Sequence, residues 1–132
     1  MKSLKVWGSR ETLYADNTVM INLLYLEKGS YSSLHWHRGK SDKFIVVKGE
    51  VKIVTELRET TLKDGDSLIV DPPLKHQFVV EEDSTMIEIS YARLDPEDIN
   101  RLNQGGKIIE GKKVCLDKMI EAFVPQPENA DD

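Results

Sequence analysis

A chain of 132 residues with 39% hydrophobic and 31% charged residues has the size and composition of one soluble globular domain, not of a disordered or membrane-spanning chain. Its net charge of −5 is spread without any basic run, which argues against gripping a nucleic-acid backbone. The longest apolar stretches are too short to cross a bilayer, Met1 to Trp7 lacks the apolar core of a signal peptide, and a lone Cys115 excludes an internal disulfide, so the expected location is cytoplasmic.

From residue 19 to residue 92 the chain is a series of short β-rich runs. Val19 to Leu26 ends at the turn Glu27-Lys28-Gly29-Ser30, and Tyr31 to His37 follows. Phe44 to Lys48 and Val51 to Leu57 read as a hairpin with Gly49 at its corner. Arg58-Glu59 turns the chain into Thr60 to Leu62, and Lys63-Asp64-Gly65-Asp66 turns it again into Ser67 to Val70. Beyond Pro72 and Pro73 come Gln77 to Val80, a polar turn at Glu81 to Ser84, and Thr85 to Tyr91. Strands of this length and spacing imply a sandwich or a small barrel.

Helical signals come late. Asp95-Pro96-Glu97-Asp98 places a capping residue before proline with acids in the first turn, which predicts a helix over 96–103 ended by Gly105-Gly106. Leu116, Met119, Ile120 and Phe123 fall at helical spacing and predict a second, amphipathic helix that packs on the barrel or across a dimer. The organisation expected is a barrel with a following short helix over 1–106, a helical extension over 107–124, and a disordered acidic tail over 125–132.

The chain has three histidines, and their placement is the chemical signal. Residues two apart on a strand share a face, so His35 and His37 aim at one point if that segment is extended, and Tyr31 and Ser33 share the face. His76, the third histidine, completes a set of nitrogen donors from a neighbouring strand, and Asp42 is the best-placed carboxylate for a fourth ligand. Three nitrogens with or without one oxygen suit one divalent Zn, Fe, Mn, Ni or Co ion, and the residues do not choose among them. Without Asp42 the centre would be three histidines alone. Trp36 should point away from the ion, Phe44 reads as core, and Trp7 packs or bridges subunits.

The run Gly29, His35-Trp36-His37, Asp42 and Gly49 resembles the first cupin motif, with Asp42 standing where that motif has Glu. Gly65 through Asp71-Pro72-Pro73-Leu74-Lys75 to His76 resembles the second. The resemblance implies an all-β cupin fold, a double-stranded β-helix or jelly-roll barrel, here with one or two short C-terminal helices. Within cupins, Val6-Trp7-Gly8-Ser9, His35-Trp36-His37-Arg38, Phe44 to Gly49, Pro73 to His76 and Leu94 to Ile99 are similar to the isomerase domain of type II mannose-6-phosphate isomerases. That likeness implies metal-ligand roles for His35, His37, Asp42 and His76.

The function expected is that of a metal-dependent enzyme acting on a small polar metabolite, best matched by aldose–ketose isomerisation of a sugar phosphate. Arg38, Lys43, Asn22 and Tyr31 are the candidate substrate-binding residues, with Lys40 and Lys75 as further members of a cationic rim. No residue is assigned as catalytic base. Rival readings are a non-haem iron dioxygenase or metal-assisted lyase on the same ligands, and a non-catalytic metabolite-binding or sensor cupin. The partners expected are a small molecule such as a phosphorylated sugar and a second copy in a homodimer, with no nucleic acid and no membrane.

Overall fold

The computed structural model describes residues 2–95, 97–109 and 112–114. Within them the chain forms β1 (Lys2–Lys5), β2 (Gly8–Ala15), β3 (Val19–Leu26), β4 (Ser30–Tyr31), β5 (His35–Trp36), β6 (Lys40–Thr55), β7 (Glu59–Lys63), β8 (Ser67–Val70), β9 (His76–Ala92), β10 (Asn100–Arg101), β11 (Gly106–Ile109) and β12 (Lys112–Val114), with no helix. All pairings are antiparallel and join into one curled sheet. The two long strands, β6 and β9, run side by side from Lys40↔Ala92 to Thr55↔His76. On its other edge β9 pairs with β3 along its second half and with β4 and β5 along its first.

Neither long strand breaks where turn-forming residues suggested. The expected hairpin at Gly49-Glu50 is instead a bend inside β6, and the expected turn at Glu81 to Ser84 is a bend inside β9. The two bends lie against each other. The register shifts three times between Val46 and Val51, Glu50 pairs with Glu82, and the Glu50 amide donates to Ser84 Oγ at 3.0 Å. Gly49 has φ of +114°, and a Cβ there would lie 2.1 Å from Ser84 Oγ and 2.7 Å from the Asp83 carbonyl oxygen. Glycine is thus required by both conformation and space, and residues that signal a turn here produce a bulged corner shared by two strands.

The inner face carries an apolar floor and a polar end. Trp7, Leu24, Phe44, Val46, Val51, Ile53, Phe78 and Met86 form the buried cluster, with Trp7 edge-on to Phe78 at 5.3 Å between ring centroids. On β9 the buried alternate residues are Met86, Glu88 and Ser90, whereas the more apolar set, Ile87, Ile89 and Tyr91, is only half-buried. On β6, Asp42, Phe44 and Val46 likewise face in while Lys43 and Ile45 face out. Polar residues therefore occupy the interior at one end of the barrel, an arrangement that core stability alone does not favour.

The helix expected over 96–103 does not form. Its first turn does: the Asp98 amide bonds the Asp95 carbonyl at 2.9 Å, and Asp95 Oδ1 accepts from the Glu97 amide at 3.0 Å. Beyond that turn the backbone is taken by other partners. Asn100 and Arg101 pair with Trp36 and His35, and the Leu102 amide donates to the Leu34 carbonyl at 2.8 Å. Tertiary pairing outcompetes a short helix with modest intrinsic propensity. Likewise, the start of the expected helical extension over 107–124 is a hairpin of β11 and β12. Its periodic apolar residues, Cys115 and the tail over 125–132 lie outside the described residues. Among the described residues, no helix is long and apolar enough to cross a membrane.

Candidate metal centre

His35 and His76 are direct cross-strand partners on β5 and β9, so their side chains share the inner face. His37 lies two residues beyond His35 and points the same way. The three rings stand 4.5 to 5.4 Å apart between centroids, and all three residues are buried. One ligand atom from each lies within 4.8 Å of the others, so the three histidines could hold a metal ion. No other such group of histidine, cysteine or carboxylate side chains occurs among the described residues.

Each ring is fixed by its Nδ1. His35 Nδ1–H donates to the Ser33 carbonyl at 3.0 Å, His76 Nδ1–H to the Leu74 carbonyl at 3.0 Å, and His37 Nδ1–H to the Asp98 carbonyl at 2.7 Å. A carbonyl can only accept, so these bonds put the proton on Nδ1 and turn Nε2 inward; at His35 the Ser33 hydroxyl also lies 2.9 Å from Nδ1. This is the outer support that ligating histidines use. His37 Nε2 and His76 Nε2 are buried without a hydrogen-bond partner.

Asp42 closes the group. Its Oδ2 stands 3.3 Å from His37 Nε2 and 3.5 Å from His76 Nε2, and the residue is 1% exposed. Its Oδ1 is committed elsewhere, accepting from Ser90 Oγ–H at 2.7 Å with Lys40 Nζ at 3.9 Å. Two imidazole lone pairs and a carboxylate oxygen at this range repel one another unless a cation lies among them. Protons can fill that role, and the acid–base balance follows. Burial opposes charge on His37, but the neighbouring Asp42 carboxylate and the Asp98 carbonyl outweigh it and raise the pKa. Burial also opposes charge on Asp42, yet the His37 and His76 rings close to its Oδ2, with Lys40 nearby, hold its carboxyl well below the usual range. For His35, burial and then the neighbouring His76 and His37 push the pKa well below its ordinary value. A divalent ion meets the same demand with a donor set of imidazole nitrogens and one carboxylate oxygen, so the residues present fit such a group.

The candidate substrate residues divide. Asn22 lies inside the barrel, fully buried, where its Nδ2 donates to Glu88 Oε1 at 3.1 Å and its Oδ1 accepts from Thr12 Oγ1 at 2.7 Å. Lys43 faces out between Asp42 and Phe44, because strand alternation inverts adjacent residues. Arg38 lies exposed in the bend between β5 and β6, and its guanidinium lies over the Trp36 ring at 5.8 Å. Tyr31 is buried but pairs with Val79, whose neighbours Phe78 and Val80 are core, so it shares the opposite face. Lys75 is half-exposed beside Glu56. The cation that reaches the interior is Lys40, 6% exposed.

Sequence reasoning missed Glu88, Ser90 and Asp98. The usable signal for the first two was two polar residues in alternation with Met86. It was masked because the outward face of β9, with Ile87 and Ile89, is the more apolar one.

The fold and this cluster define a class: a curled all-β barrel whose inner face carries three histidines able to hold a metal ion. Residues 22–90, just over half of the chain, match the cupin domain family, and the chain belongs to it. It is 27% identical over 75 residues to a mannose-1-phosphate guanylyltransferase of Sinorhizobium fredii, a match covering 57% of this chain and 15% of that protein. Among solved structures, the fold is similar to KdgF from a Halomonas species (TM-score 0.62, 23% identity, 66% of this chain and 82% of that one). It is also similar to an RmlC-like cupin from Shewanella frigidimarina (TM-score 0.59, 29% identity, 64% and 77%).

Proposed function

We propose that the chain is a metal-dependent enzyme that isomerises a small anionic sugar, with a sugar phosphate as the favoured substrate. The observation that carries this reading is the convergence of His37 Nε2 and His76 Nε2 on Asp42 Oδ2, beside His35, in the buried interior. His35, His37, His76 and Asp42 would hold one divalent transition-metal ion. Such an ion supplies Lewis-acid polarisation of the substrate's carbonyl and hydroxyl oxygens. The aligned region of the guanylyltransferase relative supports a link to sugar phosphates.

The chain's own residues would do the rest. Lys40, rather than Arg38 or Lys43, offers the positive charge beside the ligand set, and it orients an anionic group. Glu88 is a second inward carboxylate, two residues from Ser90 on β9 and held by Asn22, and it is the group assigned to move the proton between adjacent carbons. The barrel walls exclude water from the transfer. A homodimer is the assembly this reading takes, supported by the half-buried outer row in which Leu23, Ile87 and Ile45 align across β3, β9 and β6.

The test is conversion of mannose 6-phosphate to fructose 6-phosphate by protein loaded in turn with Zn, Fe, Mn, Ni or Co. Turnover with at least one metal is expected, and Glu88→Gln should keep the ion while losing about 100-fold or more in kcat. Absence of turnover with every metal sinks the isomerase reading. Oxygen uptake by the iron form would favour a dioxygenase in its place.

A further inference from the structure

The three rings do not obtain their support in the same way. His35 and His76 each donate to a carbonyl two residues back on their own segment, Ser33 and Leu74. His37 donates to Asp98, which lies 61 positions further along the chain. Its orientation is therefore set by a segment that its own strand does not carry.

That segment is tied down at several points. Asp98 grips three consecutive residues: its carbonyl accepts from His37 Nδ1–H at 2.7 Å, its Oδ1 from the Arg38 amide at 2.7 Å, and its Oδ2 from the Gly39 amide at 2.8 Å. Bonds from amides to a carboxylate are charge-assisted and stronger than neutral ones. Further along, β10 pairs with β5, and the Leu34 amide donates to Asn103 Oδ1 at 2.8 Å. The backbone from Leu34 to Gly39 is thereby fastened to the stretch from Asp98 to Asn103. On its other side β5 has a single paired position with β9, His35 opposite His76. This stretch lies outside the matched family region of residues 22–90.

We propose that Asp98 is a positioning residue, and that the strap from Asp98 to Asn103 fixes the tautomer and direction of the His37 ring for metal binding. The metal-affinity part of this inference rests on the reading of His37 as a ligand, while the tautomer part does not. The carboxylate fixes the backbone of Arg38 and Gly39 and so holds the Asp98 carbonyl against the ring. Without it, His37 is free to turn or to carry its proton on Nε2, where it blocks a metal.

Long-range proton–nitrogen spectra of the metal-free ¹⁵N-labelled full chain report the tautomer of each ring, and competition against a chromophoric chelator reports Zn²⁺ affinity. Asp98→Ala should mix the His37 tautomers, leave His35 and His76 unchanged, and weaken Zn²⁺ binding about 10- to 100-fold. Asp98→Asn, which keeps one acceptor oxygen, should fall between it and the wild type. Asp95→Ala, which removes only the local bond to the Glu97 amide, should match the wild type. Unchanged His37 signals in Asp98→Ala overturn the proposal, as does an equal change in all three rings, which marks general loosening. A wild type that shows the Nδ1–H tautomer but takes up no Zn²⁺ supports the positioning role and defeats the ligand reading instead.

Discussion

His76→Ala is expected to lower metal affinity by about two to three powers of ten while leaving a folded barrel. A structural zinc site of four ligands is worth about 10–16 kcal/mol in apparent free energy, so one ligand carries about 2.5–4 kcal/mol, or roughly 60- to 700-fold. The residue stands at the first position of β9, opposite His35, and its ring packs near Phe44 at 6.2 Å between centroids. Its loss removes one inward nitrogen and one of the two rings facing Asp42 Oδ2. Asp42→Asn separates the two forms of the centre left open by the sequence. If Asp42 ligates, this variant loses a comparable factor. If the centre is three histidines, affinity changes little, because an amide oxygen can still accept from Ser90. Isothermal titration with Zn²⁺ on chelator-stripped protein reads all of these values. An affinity for His76→Ala within threefold of the wild type would rule out His76 as a ligand.

Gly49→Ala is expected to destabilise the barrel by about 3–5 kcal/mol. Backbone strain at a positive φ outside the small left-handed region costs about 1–3 kcal/mol, and forcing a methyl group against a neighbouring strand costs a similar amount. Here the methyl would meet Ser84 Oγ and the Asp83 backbone at the corner where β6 and β9 bend together. Gly65 is the internal comparison, since its φ is +84° but no atom lies within 4 Å of an added Cβ. Gly65→Ala should therefore cost only about 1–2 kcal/mol, from backbone strain alone. Thermal melts should separate the two variants by about 10 °C, with Gly49→Ala the lower. Equal melting temperatures would show that the bulge does not need the space that glycine provides.

The legible and illegible parts of this molecule follow from what local sequence encodes. β3 and β8 fall on the stretches expected, Val19–Leu26 and Ser67–Val70, because each is a branched run bounded by turn residues. The proximity of the three histidines was also legible, since it needs only strand alternation and one neighbouring strand. The corner of β6 and β9 was not. Gly49-Glu50 and Glu81 to Ser84 have the composition of turns, and only their mutual contact keeps both strands running through. The first turn at Asp95 was legible as a cap. The failure of the helix beyond it was not, because its backbone groups bond residues 34–37, far back in the chain. The placement of the cations follows a simpler rule. Lys43 sits one residue from the buried Asp42, which on a strand places it on the opposite face, Arg38 lies exposed in the bend between β5 and β6, and Lys40 shares the inner face with Asp42.

The central claim is that the inner end of this barrel is a metal centre, and metal content tests it most directly. Purified full-length protein is stripped with chelator, reconstituted separately with Zn, Fe, Mn, Ni and Co, desalted, and measured by mass spectrometry of the elements against chain concentration. The account predicts about one ion per chain for at least one metal, released again by chelator. Retention of none of these metals, by a chain whose melting curve shows it to be folded, would contradict it.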